Sequence, residues 1–517
     1  MEKEIKPTIG KTVLETLTSG MYDDARFVFR EYIQNAADQI DEAVELSILG
    51  DKSDGEIKIF IDTENKKITI TDNATGVRQK DVVRLLGDVA NSQKDTTKRK
   101  GFRGIGRLGG LGYCDRLIFE TSYRDESVKS KMILDAKLLK KIIENRKDNS
   151  DAMAAMSIIT VEDPPKEEDL DKHYFRVILE NVHNDNLLDV NFVTEYLSMV
   201  APVPFSSSFT FTDEIKTYLK SRNLLLDEYN IEINNNTLYK RYKNTFTDDK
   251  GKNVSKLIGV DFVDIRNDNQ ELLATCWYGY REHSNIVLDE SNLERGLRIR
   301  TKNIAIGNEF TCNRFFDQER TNLRFIGEIH TLNDGFIPNA RRDYFTENIT
   351  YEQFEKNLRE ILKAENLENR LAQTASKLHN RLKEIEKYQE KYGEFIEKKG
   401  FFENAATESF HLNRLKELEE KARKAKIEIE KINTKATFSE NVRKLFNSIV
   451  GDKDLSINYL TGQDLQISKY TPPTFEKLRE EQKLVVLEIF EILEEELDFD
   501  ISELIKKRIV EKYNSDE

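Results

Sequence analysis

Three short stretches within the first 160 residues carry side chains whose type and spacing could do chemistry. In Arg30-Glu31-Tyr32-Ile33-Gln34-Asn35-Ala36-Ala37-Asp38, the polar residues Glu31, Asn35 and Asp38 stand i, i+4, i+7 apart and project from one face of a helix. Polar residues so spaced are ordinarily a solvated face. Here the small Ala36 and Ala37 and the apolar remainder set them beside a core-facing stripe. In Ile68-Thr69-Ile70-Thr71-Asp72-Asn73-Ala74-Thr75-Gly76, a strand ends in a carboxylate followed by a turn of small residues. Asp72 there can accept a hydrogen bond from an exocyclic amine, and the tight turn lets backbone approach a planar base. The third stretch, Lys100–Tyr113, holds six glycines from Gly101 to Gly112. That density fits neither helix nor strand, but it suits a loop whose N–H groups wrap phosphate and lead into a helix N-terminus. It is not a dinucleotide fingerprint, because no strand immediately precedes it. Nor is it a Walker loop, because no Gly-Lys-Ser/Thr follows.

These residues need elements to hold them. Phe27–Leu46 reads as a helix, with Phe27, Phe29, Ile33, Ala36, Ala37 and Ile40 falling mostly at three- and four-residue spacings. Glu56–Ile61 and Lys67–Thr71 alternate polar with apolar residues and read as paired strands joined by a turn at Glu64-Asn65. The texture divides the chain into residues 1–200, 201–345 and 346–517. The middle part is β-rich, in segments such as KLIGVDFVDI, ELLATCWYGY and LRIRTKNIAIG, and predicts an α+β domain with a mixed sheet. In the last part Leu371, Leu378 and Ile385 recur every seven residues, with Ala375 and Leu382 between them. A second periodic run from Leu412 to Ile432 predicts an antiparallel helical hairpin turning at Gly400. Beyond Pro472-Pro473 an acidic amphipathic helix is expected over about Phe475–Ile509.

Composition narrows the classes. At roughly 150 residues per domain, 517 residues make about three domains. The 94 acidic against 80 basic residues give a net charge of −14, which excludes a uniformly basic nucleic-acid binder but leaves room for a local basic patch. Cys114, Cys276 and Cys312 are far apart and include no Cys-x-x-Cys pair, which excludes a disulfide scaffold or zinc ribbon and fits a reducing cytosol. The N-terminal residues lack the apolar run of a signal peptide, and no stretch of about 18 apolar residues would span a membrane. A cytoplasmic protein without membrane contact is the expectation.

The three motifs, in this order and at this spacing, resemble the GHKL (Bergerat-fold) ATPases, and among them the ninety-kilodalton heat-shock chaperones. REYIQNAADQ is similar to their E-x-x-x-N-x-x-D helix and DNATG to their D-x-G-x-G turn, with Ala74 in place of its first glycine. LLGDVANSQKD followed by GFRGIG is similar to their lid and second glycine box. The resemblance implies an N-terminal Bergerat α/β sandwich and an α+β middle or transducer domain; with the all-α C-terminal arm that the periodicity predicts, an α+β protein is expected. The resemblance also implies ATP with Mg²⁺ as ligands. Glu31 would activate the attacking water, Asn35 would hold Mg²⁺, Asp38 would support the helix and base pocket, and Asp72 would bind the adenine amine beside Gly76. Gly101, Gly104 and Gly106 would contact the phosphates, and Ser157 stands for a threonine near the adenine. RFIGEIHTLNDGFIPNARRDYF is similar to the loop carrying the chaperones' catalytic arginine. Arg342 falls on that arginine, with Arg341 adjacent and Lys302 as the alternative γ-phosphate sensor. The likeness covers roughly residues 10–345.

The function so implied is a slow ATP-dependent clamp, a homodimer acting on a protein client or partner. The alternative is a nucleic-acid-linked ATPase like the microrchidia or MutL groups, as within a bacterial defence system. The basic run Lys421, Arg423, Lys424 and Lys426 keeps that alternative in view. A sensor histidine kinase is disfavoured because no histidine precedes His173, and no metal cluster is evident among six scattered histidines.

Overall fold

The computed structural model describes residues 9–20, 24–87, 106–145, 147, 149–248, 250–283, 286–363, 368–399, 402, 405–434, 440–460, 475, 477–497 and 499–514. The chain divides into two compact units, residues 1–372 and 373–517.

Alternation of apolar and polar residues builds the first sheet. Ile57, Ile59 and Ile61 of β1 (Glu56–Asp62) and Ile68 and Ile70 of β2 (Lys67–Asp72) are buried, whereas Phe60 between them is exposed. The two strands pair antiparallel with Ile59 opposite Ile70, and both the backbone and side-chain amides of Asn65 donate to Asp62 in the turn. The sheet continues with β3 (Arg116–Ser122), β4 (Val128–Asp135), β5 (Thr160–Glu167), β6 (Tyr174–Glu180), β7 (Asn230–Ile233) and β8 (Asn236–Thr237), in the order β5-β4-β3-β6-β2-β1-β7-β8. Only the β1–β7 pair is parallel. Helices Phe27–Glu45, Ala136–Glu144, Ala152–Ile159 and Val190–Val200 cover the isoleucine-bearing face, and together they form one continuous core.

The second sheet is mixed, as the β-rich texture predicts. It comprises β9 (Thr245–Thr247), β10 (Asn253–Arg266), β11 (Leu272–Arg281), β12 (Gly296–Thr301), β13 (Ile304–Ile306) and β14 (Ile326–Thr331), ordered β13-β12-β14-β11-β10-β9. Trp277 lies at the heart of an aromatic cluster with Phe205, Phe209 and Tyr242, its ring centroid 5.0 Å from that of Tyr242. Beside it Glu328, wholly buried, accepts hydrogen bonds from Lys240 (2.9 Å), Tyr242 (3.2 Å), Trp277 (3.4 Å) and Arg300, with His330 Nε2 at 3.1 Å. A buried carboxylate is tolerable only when so many donors compensate its desolvation. Lys240 Nζ also reaches Asn303 Oδ1 at 2.7 Å, and Arg300 donates to the carbonyl of Met199 at 2.7 Å.

The second unit is helical. Glu368–Lys398 and Ala405–Thr434 run antiparallel, with Arg381 bonded to Glu428 at 2.7 Å and the tilted rings of Phe395 and Phe402 5.4 Å apart. Ala375, Leu378, Leu382 and Ile385 are buried, as are Leu415, Ala422, Ala425 and Ile429. Gly400 and Pro472-Pro473 lie outside the described residues. The single terminal helix expected from the sequence is instead two helices, Glu480–Glu496 and Phe499–Asn514, because the backbone turns extended at Leu497. Val486 and Phe490 are buried, whereas Leu484, Val485, Ile489 and Ile492 stay exposed.

Candidate functional site

The helix Phe27–Glu45 carries the first motif on a face that the core stripe draws inward. Glu31 is only 6% exposed, Asp38 is fully buried, and Asn35 is half-buried between them. The partner of Glu31 comes from a distant loop. Arg342, 5% exposed, sets its Nε 2.9 Å from Glu31 Oε1. The loop is closed by Asn339 N–H donating to Tyr344 O (2.9 Å) and Arg342 N–H donating to Asn339 O (3.2 Å). Arg342 has φ +56, a left-handed conformation that a residue with a Cβ adopts at a cost, and its carbonyl accepts from Gly307 N–H at 2.9 Å.

Of the three cationic candidates, then, Arg342 is the one whose guanidinium meets Glu31. The Arg341 side chain is exposed, and its carbonyl accepts from Arg30 Nη2 at 3.3 Å. Lys302 sits half-buried with φ +49 in the turn between β12 and β13, where its neighbour Asn303 is held by Lys240 and by the Asp227 carbonyl.

Asp72 ends β2 opposite Phe175 of β6. Burial, at 4% exposure, pushes its carboxyl up to about 7, and the N–H groups of Ala74 and Phe175 pull the other way. Its Oδ1 accepts from Ala74 N–H at 3.1 Å. The turn after it is pinned residue by residue. The Ala74 methyl is packed in the core, the Ala74 carbonyl lies 2.7 Å from His173 Nδ1, and the Thr75 hydroxyl donates to Gln39 Oε1 at 2.6 Å. Gly76 has φ +67, and a Cβ there would lie 1.9 Å from the Ser122 carbonyl oxygen, so only glycine fits.

Gly101, Gly104 and the lid segment 88–100 lie outside the described residues. Gly106 is described. It opens a 3₁₀ turn, Gly106–Gly112, and a Cβ on it would lie 2.2 Å from Glu31 Oε2. The glycine therefore lets the backbone at residue 106 pass against the carboxylate. Ser157 is exposed on the helix Ala152–Ile159 and donates to its own helix at Met153 O, 2.9 Å away. Across the sheet Asp72 is flanked by Ile57 of β1 and Phe175 of β6. Arg30, Gln39, Phe175 and His173 join the site through contacts that the sequence motifs do not specify. Arg30 and Gln39 flank the first motif, beside Glu31 and Asp38, whereas Phe175 and His173 lie outside all three motifs.

The arrangement brings a buried carboxylate and a buried guanidinium together at one end of a helix, with a second buried carboxylate at a strand end. Among the described residues no group of three or more His, Cys, Asp or Glu side chains could hold a metal. A divalent ion at this site would take the half-buried amide oxygen of Asn35 and otherwise phosphate oxygens, which is how Mg²⁺ usually sits on nucleotides.

Residues 25–160 match the family described as histidine kinase-, DNA gyrase B- and HSP90-like ATPases. The chain thus carries a GHKL-type ATP-binding ATPase domain, and within that class it resembles the heat-shock chaperones. It is 29% identical over 145 residues to chaperone protein HtpG of Idiomarina loihiensis, covering 25% of this chain and 23% of the relative. Similarity to HtpG of Clostridium acetobutylicum is 32% over 109 residues, covering 19% of this chain and 18% of that one. Heat shock protein 90-5, chloroplastic, of Arabidopsis thaliana is 34% identical over 85 residues, 16% of this chain and 11% of the relative. The chain therefore spans less than a quarter of the length of each of these relatives. No helix among the described residues is long and apolar enough to cross a membrane.

Proposed function

We propose that this chain is an ATP-driven conformational switch that hydrolyses ATP with Mg²⁺ and acts, chaperone-like, on a protein client or partner. The observation that carries the reading is the Glu31–Arg342 pair, buried and 2.9 Å apart, on the helix that also presents Asn35 and Asp38. In this reading Asp72 accepts the adenine amine and Gly76 lets the base approach. Backbone N–H groups of Gly101, Gly104 and Gly106 hold phosphate, as a glycine loop does. Glu31 takes the proton of the attacking water. Arg342 exchanges the carboxylate for the γ-phosphate, where a planar and permanently charged group best neutralises developing charge. Asn35 would hold Mg²⁺ through its amide oxygen, and the ion would spread the charge of the phosphates. Because Arg342 belongs to a loop beyond the second sheet, turnover is coupled to movement of that loop, as in lid-gated enzymes.

The working form is proposed as a homodimer, with the C-terminal helices as the constitutive contact and the N-terminal domains meeting with ATP. Phosphate release by the full chain with ATP and Mg²⁺, compared between wild type and Glu31→Ala, tests the enzyme reading directly. The nucleic-acid alternative rests on the exposed Lys421, Arg423 and Lys424, of which Lys424 already pairs with Glu420 at 2.7 Å. A binding isotherm for duplex DNA that weakens steeply with salt would revive it.

A further inference from the structure

We infer that His173 is a positioning residue for base recognition: by holding the Ala74 carbonyl it fixes the turn that orients Asp72. The inference rests on the reading of Asp72 as the acceptor of an exocyclic amine. His173 immediately precedes β6, on the strand that neighbours β2 in the sheet, and its Nδ1 lies 2.7 Å from the Ala74 carbonyl oxygen. A carbonyl only accepts, so Nδ1 carries the proton. The N–H of that same residue donates back to Asp72 Oδ1 at 3.1 Å. His173 and Asp72 thus grip the two backbone polar groups of residue 74 from opposite sides. If the Ala74 peptide turned, the carboxylate would lose one of its two backbone donors, the one on Oδ1, and keep only that of Phe175.

The other anchors of the turn cannot replace this one. The Thr75 hydroxyl is tied to Gln39 on the helix, and Gly76 is wedged against the Ser122 carbonyl, so both act downstream of residue 74. They do explain why the turn should survive loss of the imidazole as a fold while losing its register against Asp72. The Ala74 side chain is fully buried, so the methyl locks residue 74 on its core side and leaves the carbonyl side to His173. Half-buried His173 can therefore be exchanged without opening the core.

The test uses the full-length chain, with affinities for ADP and for inosine diphosphate, whose base has a carbonyl where adenine has the amine. His173→Phe should weaken ADP binding by about tenfold, the scale of one buried hydrogen bond, and leave inosine diphosphate affinity nearly unchanged. Its kcat at saturating ATP should match wild type. His173→Asn, whose side-chain N–H₂ donates from a similar reach, should restore ADP affinity. If His173→Phe does not fold, His173→Ala takes its place with the same expectations. Equal weakening of both nucleotides, or no weakening of either, would overturn the positioning role while Asp72→Asn still erased the preference for ADP. Were Asp72→Asn to leave that preference intact, the reading of Asp72 would fail first and take the inference with it.

Discussion

Glu31 and Arg342, far apart in the sequence, face one another at 2.9 Å, one on the helix Phe27–Glu45 and the other on a loop beyond the second sheet. Each is almost sealed from solvent, so the pairing offsets part of the hydration each has lost, and Arg30 Nε adds a second cation 4.0 Å from Glu31 Oε1. The proposed reaction requires them to part. A water molecule can give its proton to Glu31 only if that carboxylate is released, and the arriving γ-phosphate is the stronger attraction for the guanidinium. Glu31→Ala should lower turnover by about 10²–10⁴-fold while nucleotide still binds. Arg342→Ala should lower it by about 10²–10³-fold. Arg342→Lys should recover little, since an ammonium cannot reproduce the planar fork. Phosphate release at saturating ATP checks all three, and wild-type turnover in Glu31→Ala would dismiss the assigned base.

As the proposed acceptor of the base amine, Asp72 should make nucleotide binding sensitive to pH. Burial raises its carboxyl from 3.8 to about 7, so between those values the folded chain holds a proton that the unfolded chain has lost. Stability from this group is thus full below the unfolded value and is lost as pH rises towards 7. The base amine asks the opposite, because it needs the ionised acceptor. ADP affinity should fall as pH drops through about 7. Asp72→Asn should weaken binding by roughly 1–3 kcal/mol and flatten that dependence. Calorimetric titrations at several pH values would show it, and a wild-type affinity independent of pH would contradict it.

Glu328 is the electrostatic keystone of the second sheet. Arg300 and Lys240 hold its carboxyl well below the usual carboxylate range against the opposing effect of burial. Removing it strands Lys240 and Arg300 in the interior, and Glu328→Ala should cost about 3–5 kcal/mol of stability. Trp277 is the only tryptophan in the chain and donates to Glu328 at 3.4 Å, so its emission reports the event directly. An unchanged denaturation midpoint, followed by that fluorescence, would show that the network is dispensable.

The dimer expectation now falls on fewer residues. The seam of Leu378, Leu382 and Ile385 is buried within one chain, whereas Val485, Ile489 and Ile492 form an exposed apolar stripe at i, i+4, i+7. Light scattering of the full-length protein should give twice the chain mass, and Ile489→Ser with Ile492→Ser should halve it. A wild-type monomer, with and without a non-hydrolysable ATP analogue, would end the clamp proposal.

Much of this architecture was legible in the residues. The isoleucine alternation of β1 and β2 and the apolar spacing of Phe27–Glu45 reflect local rules, and both elements form as that patterning predicts. Other features depend on contacts that no local pattern encodes. Nothing in Ala340-Arg341-Arg342-Asp343 distinguishes two neighbouring arginines; the left-handed φ of Arg342 turns one inward and leaves the other outside. Ser157 matched a threonine by type, yet the sheet register sets Phe175 opposite Asp72. The break at Leu497 interrupts a run whose apolar spacing continues on either side. The cluster around Glu328 assembles residues from four separated segments, at Lys240 and Tyr242, Trp277, Arg300, and Glu328 with His330, none of which signals the others locally.

The parallel pairing of β7 with β1 bears on how the chain is made. β1 lies near the N-terminus, but the strand that covers its free edge, Asn230–Ile233, is far downstream. A nascent chain that has emerged only as far as residue 200 has nearly the whole first sheet in hand and one long hydrogen-bonding edge open. Edges of that kind recruit other strands, and they are most hazardous while synthesis is slow relative to collapse. Shortened versions ending before residue 230 should therefore aggregate even though every motif of the ATPase domain is present. Extending them through Thr237 should restore a dispersed protein, which makes the last-added strand pair a closing stitch for a domain whose chemistry is encoded much earlier.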